Sequence, residues 1–145
     1  MARRVVLLCG PPGSGKTTAA RASGLEVFDR DDAKWSSEKH FRTALRHLGA
    51  DPTARAVVIR SGATSSARAT AARLVDATET YLVWADADEC QRRAHQRARG
   101  DARKTTAAIP QWFAAFDRDD DVPAFPGWDS NDLTTSEALR PSRKW

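Results

Sequence analysis

The chain has 145 residues, 41% of them hydrophobic and 29% charged, with a formal net charge of +4. That length fits one domain with a real core and leaves little room for a second, and the composition argues against a largely disordered chain. The modest positive balance suits polyanionic partners, nucleic acid above all, although it serves solubility equally.

Val5 to Cys9 is a continuous apolar run bounded by Gly-Pro-Pro-Gly, and it reads as a strand buried on both faces. It is too short for a signal segment, and no stretch reaches the roughly 18 apolar residues of a membrane span, so the expected location is cytoplasmic. Cys9 and Cys90 lack metal-ligand spacing and are expected to be free thiols in a reducing compartment. A short helix follows from Lys16 to about Ser23, stopped by Gly24. Leu25 to Phe28 is a second strand, ending in the cluster Asp29-Arg30-Asp31-Asp32. Ser36-Ser37-Glu38-Lys39 opens a helix with Phe41, Ala44, Leu45 and Leu48 on one stripe and Gly49 as its stop. Ala56 to Ile59 is the third strand, with Arg60-Ser61-Gly62 at its end. Ser65 to about Ala77 is a helix carrying Ala69, Ala72 and Leu74 inward. Tyr81 to Ala85 is the fourth strand, with Trp84 in the core, and Asp86 or Asp88 caps a long helix to about Arg99. Pro110 suits the first turn of a helix from Ile109 to Phe116, docked by Trp112, Phe113 and Phe116. Residues 118–145 are expected on the surface, pinned by Trp128 and Trp145. Asp117, Asp119, Asp120 and Asp121 lack the spacing of a calcium loop and read as a solvated acidic loop.

Strict alternation of strands and helices predicts an α/β fold of three layers, with a mainly parallel sheet of four or five strands, as one domain over 1–145. Ligands of such sheets bind beyond the C-terminal strand ends, which directs attention to 10–17, 29–34 and 60–64. Gly10-Pro11-Pro12-Gly13-Ser14-Gly15-Lys16-Thr17 matches G-x-x-x-x-G-K-[ST], placed after a strand and before a helix. This is the P-loop motif, and it implies ATP and Mg²⁺. Backbone N–H groups of Gly13, Ser14 and Gly15 can meet polyphosphate with no bulky side chain in the way. Lys16 reaches the β- and γ-phosphates, Thr17 offers its hydroxyl to the metal, and Thr18 can bond an α-phosphate oxygen. The third strand ends without the acid of a typical hydrolytic P-loop protein. A basic cluster of Arg92, Arg93, His95, Arg97, Arg99, Arg103 and Lys104 suits a helical lid over about 92–108 whose guanidiniums close on the transferring phosphoryl. The plain alternative for that run is a solvated basic helix face. Past the second strand, Asp31 is the candidate to take a proton from an attacking hydroxyl, the alternative being a helix-capping or loop acid. Trp35 beside it could stack a base, but hinge packing is the better expectation.

These features resemble the 5′-hydroxyl polynucleotide kinases of bacteriophages. The likeness rests on Pro-Gly-Ser-Gly-Lys-Thr, on Arg30-Asp31-Asp32-x-Lys34, on Arg97-Ala98-Arg99-Gly100, and on Ile109-Pro110 before Trp112 and Phe113, so it covers residues 3 to about 117. It implies that Asp31 is the general base, that Lys34 grips a phosphate of the acceptor strand, and that Arg99 contacts the ATP phosphates; Arg93 and Arg97 are further lid candidates for the nucleotide. Arg68 is a further acceptor candidate. The chain departs from the family at Lys34, where an arginine is expected, at Ser61, where an aspartate is expected, and at Asp101 to Lys104, which looks inserted. The resemblance implies an ATP·Mg-dependent phosphotransferase acting on a polynucleotide 5′-hydroxyl, in the host cytoplasm if phage-encoded. Kinases of a nucleotide, a small metabolite or a hydroxymethylated DNA base stand beside it. So does an ATP-dependent nucleic-acid-binding module. No membrane partner is expected.

Overall fold

The apolar runs pair into one all-parallel, four-stranded sheet in the computed structural model, which describes residues 2–97 and 102–128. In chain order the elements are β1 (Arg4–Cys9), α1 (Lys16–Arg21), β2 (Glu26–Asp29), α2 (Glu38–Ala50), β3 (Arg55–Arg60), α3 (Ser65–Val75), β4 (Glu79–Leu82), α4 (Ala87–Arg97) and α5 (Ala102–Ala115). The strands lie in the order β2-β3-β1-β4, with Leu7 opposite Val58 on one side and Thr80 on the other. β1 is central, and this explains why Val5 through Cys9 are all apolar and fully buried. Its odd residues face Phe41, Leu45 and Leu48 of α2 and Val75 of α3. Val6 and Leu8 face Ala19 and Ala20 of α1, with Phe125 and Trp128 on the same side. Helices on both faces make the three layers. The strand order switches direction at β1, where the glycine loop leaves the sheet.

Several expectations need correction. Gly49 does not stop α2 but lies inside it, where a Cβ would come within 2.4 Å of the Leu74 carbonyl oxygen, so glycine lets the backbones of α2 and α3 touch. On α3, Ala72 and Leu74 pack against the core as expected, but Ala69 is exposed and the fully buried residues are Arg68 and Val75. β4 ends at Leu82, so Trp84 is not a strand residue. It is 49% exposed and rests its ring on Trp112, Phe113 and Phe116, with centroids 5.2–6.0 Å away. Asp86, not Asp88, caps α4, its carboxylate accepting from Glu89 N at 2.9 Å. α5 begins at Ala102 and carries Pro110 inside it rather than at its start.

The segment after α5 is more than surface. Pro123 O accepts from Leu82 N at 2.9 Å, Phe125 N donates to Leu82 O at 2.8 Å, and Trp128 Nε1 donates to Ala19 O at 2.7 Å. Trp145 lies outside the described residues. The acid-rich loop is likewise not simply solvated, because Asp117 and Asp120 bond to α3. Among the described residues no helix is long and apolar enough to cross a membrane.

Candidate active site

β1 delivers Cys9 to the floor of the loop, and Gly10 N donates to Ser61 O at 3.1 Å, tying the loop to the end of β3. The backbone then passes through left-handed Gly13 (φ +84°) and Gly15 (φ +100°), conformations that a side chain would strain. Gly15 caps α1 without a side-chain bond, which leaves the first N–H groups of the helix directed at the loop's concavity. Lys16 Nζ donates to Gly10 O at 2.6 Å and to Pro11 O at 2.9 Å. Burial pushes its pKa down to about 8. Beneath it, burial pushes the Cys9 thiol up to about 12. Burial also raises Cys90, so neither cysteine has the lowered pKa of a nucleophile.

The residue that sequence reasoning missed is Asp29. As the last residue of β2 it accepts from Thr17 Oγ1 at 3.0 Å, and its other oxygen accepts from Asp31 N at 3.0 Å. One carboxylate therefore touches the Thr17 hydroxyl and fixes the loop that bears Asp31. Hard oxygen donors of this kind suit Mg²⁺. Among the described residues no group of three or more His, Cys, Asp or Glu side chains could hold a metal by itself. Asp29 and Asp31 line one cavity of about 170 Å³ with Lys16, Thr17, Ile59 and Thr105 of α5. Asp32 is occupied locally, its carboxylate accepting from Lys34 N at 3.1 Å.

Gly13, Gly15 and Thr18 also border a wider cavity of about 600 Å³, whose far wall is Arg93 and Gln96 of α4. Arg93 donates to Gly13 O at 3.0 Å and to Glu89 at 2.7 Å, which hangs its guanidinium over the loop. The side chain of Arg97 and all of Arg99 lie outside the described residues. Lys34 is exposed, with Nζ 4.9 Å from the centroid of the Trp35 ring, and Trp35 packs on Phe28 and Phe41.

Arg68 is not available to grip an acceptor. It is 1% exposed, and its guanidinium donates to Asp120 at 2.8 and 3.0 Å and to the carbonyls of Gly62 and Asp117 at 2.8 and 2.7 Å. A buried cation requires such partners, and here they join α3 to the loop after α5.

No protein-family model and no curated protein matches the chain. Among solved structures it is similar to APE1195, with a TM-score of 0.54 and 22% identity over 74% of this chain and 78% of that one. It is also similar to a gluconokinase from Sinorhizobium meliloti 1021, with a TM-score of 0.53 and 14% identity over 94% and 89% of the two chains. At these identities the likeness is one of fold. That fold, an all-parallel α/β sheet with a phosphate loop after its central strand, is the P-loop kinase fold.

Proposed function

We propose that the chain is a kinase that moves the γ-phosphate of ATP to a hydroxyl, with Asp31 as general base. The observation that carries this reading is the shared cavity that brings Asp31 to the Lys16–Thr17 end of the phosphate loop. In the reaction the acceptor oxygen bonds to the γ-phosphorus, the bond to the β-bridging oxygen breaks, and the hydroxyl proton passes to Asp31. Loop N–H groups and Lys16 meet the charge left on ADP, and Arg93, with Arg97 and Arg99 later in the sequence, serves as the lid. Thr17 and Asp29 would hold Mg²⁺, which when bound would neutralise part of the phosphates' charge. The unpaired cysteines suit a reducing cytoplasm.

For the acceptor, the geometry favours a small molecule. The pocket at the end of β3 measures about 240 Å³, room for one compact compound and not for a strand. A polynucleotide 5′ end is the second reading, supported by exposed Lys34 three residues beyond Asp31 and over an aromatic ring. Transfer of labelled γ-phosphate to 5′-hydroxyl oligonucleotides, nucleosides and small hydroxyl compounds across a salt series separates the two. A small acceptor gives a nearly flat salt response. A log–log slope of about −0.7 per phosphate on oligonucleotides, lost in Lys34→Ala, would establish the polynucleotide reading instead. Failure of every acceptor, with ATP still hydrolysed, would end the kinase reading.

A further inference from the structure

Three guanidiniums converge on one carboxylate beside the pocket between α2 and α3. Glu38 accepts from Arg60 at 3.0 Å and from Arg30 at 3.3 Å, and it lies 4.0 Å from Arg42. One carboxylate offsets only one of these charges. Glu38 is 48% exposed, and ion pairs so well solvated contribute little to stability. Folding therefore gains little from gathering three arginines on this one carboxylate.

Arg60 is held in place from behind by the Phe41 ring, 5.3 Å from its Cζ. Arg42 and Arg60 then line a cavity of about 240 Å³ with Leu45, Leu74, Ser61 and Gly62, and among the described residues no carboxylate is part of that lining. The third arginine, Arg30, adjoins Asp31 in the chain, so the cluster ties this pocket to the segment that bears Asp31. Guanidinium forks match the paired oxygens of carboxylate or phosphate. We infer that the acceptor is a small hydroxyl compound bearing its own carboxylate or phosphate, which Arg42 and Arg60 hold in this pocket, and that Glu38 occupies the arginines until that anion arrives. This rests on the kinase reading above, and it specifies which hydroxyl compounds are taken.

Backbone NMR of the full chain, with Mg²⁺ and the β,γ-imido analogue of ATP filling the phosphate loop, tests it on matched pairs. The pairs are D-gluconate against D-glucitol, glycerol 3-phosphate against glycerol, and adenosine 3′-monophosphate against adenosine. The first two separate carboxylate from phosphate, and the third adds a nucleoside. The expected result is that the anionic member of at least one pair shifts the signals of Gly62, Thr70 and Leu74 and its neutral partner does not. Arg42→Gln and Arg60→Gln should each weaken that binding by about tenfold or more, the loss of a charge-assisted hydrogen bond. Glu38→Gln should tighten it several-fold by removing a competitor, whereas a purely structural cluster gives no gain. Equal binding of neutral partners, no shift with any of the anions, indifference to both arginine variants, weaker binding in Glu38→Gln, or an oligonucleotide seated at the same signals would each overturn the inference. Labelled transfer on the same compounds separates the two readings. A filled pocket without transfer refutes the kinase and leaves the anion site, and transfer indifferent to the anion does the reverse.

Discussion

Lys16 carries the most telling electrostatics of any single residue. Buried against carbonyls, its amine gives up its proton near pH 8 instead of 10.5. Because the folded value is the lower one, Lys16's contribution to stability is present above 10.5 and lost as pH falls through 8. Polyphosphate reverses the preference, since negative charge beside the amine favours its protonated form. Binding of ATP near pH 9 should therefore take up as much as about one proton, and uptake should vanish near pH 7. Calorimetry in buffers of differing ionisation enthalpy reads this directly, and Lys16→Ala should abolish both the uptake and the transfer. Asp31→Asn should lower turnover by about a hundredfold while ATP still binds. Asp29→Asn should instead raise the Mg²⁺ concentration needed for half-maximal rate, because Asp29 touches Thr17. The phosphate loop could be read from the chain because it acts through backbone, and its glycines are visible as letters. Asp29 could not, since three of the four residues Asp29–Asp32 are acids, and only the end of β2 tells which carboxylate turns toward Thr17.

Helix contacts depend on partners far away in sequence, and there the reading of the chain ran out. Arg68 reads in the chain as an acceptor candidate, yet its partners Asp117 and Asp120 lie about fifty residues downstream. Arg68→Met should cost about 2–3 kcal/mol in denaturant unfolding, at the low end for a broken buried pair because Asp120 is partly solvated. The KM for ATP should be unchanged in the folded fraction. Gly49 shows the converse problem, a helix-stopping letter used for close packing. Gly49→Ala gains about 1 kcal/mol of helix propensity. A Cβ 2.4 Å from the Leu74 carbonyl nevertheless forces α2 away from α3. Overpacking costs about 1–3 kcal/mol, so unfolding should show net destabilisation. Trp84 misled for a simpler reason: apolar letters ran on past Leu82, where the strand had already ended.

For the molecule as a whole, the order of strands and helices was legible because buried parallel strands are short apolar runs and the helices between them are not. The acceptor was less legible, because the cluster around Glu38 draws Arg30, Arg42 and Arg60 from three separate segments. The segment at 123–125 has a consequence for the protein's behaviour in a crowded solution. A parallel sheet has two open margins, each a row of unspent backbone donors and acceptors that another chain can adopt. At one margin β2 is only four residues long and ends in Glu26 and Asp29, so a second chain finds little to extend. At the other, Pro123 and Phe125 already occupy the outward hydrogen bonds of Leu82. A chain ending at Val122 would expose that margin along with the apolar surface under Phe125 and Trp128. Light scattering should then grow with concentration and time, whereas the full chain at equal concentration stays clear, so the strap protects against aggregation as well as closing the fold.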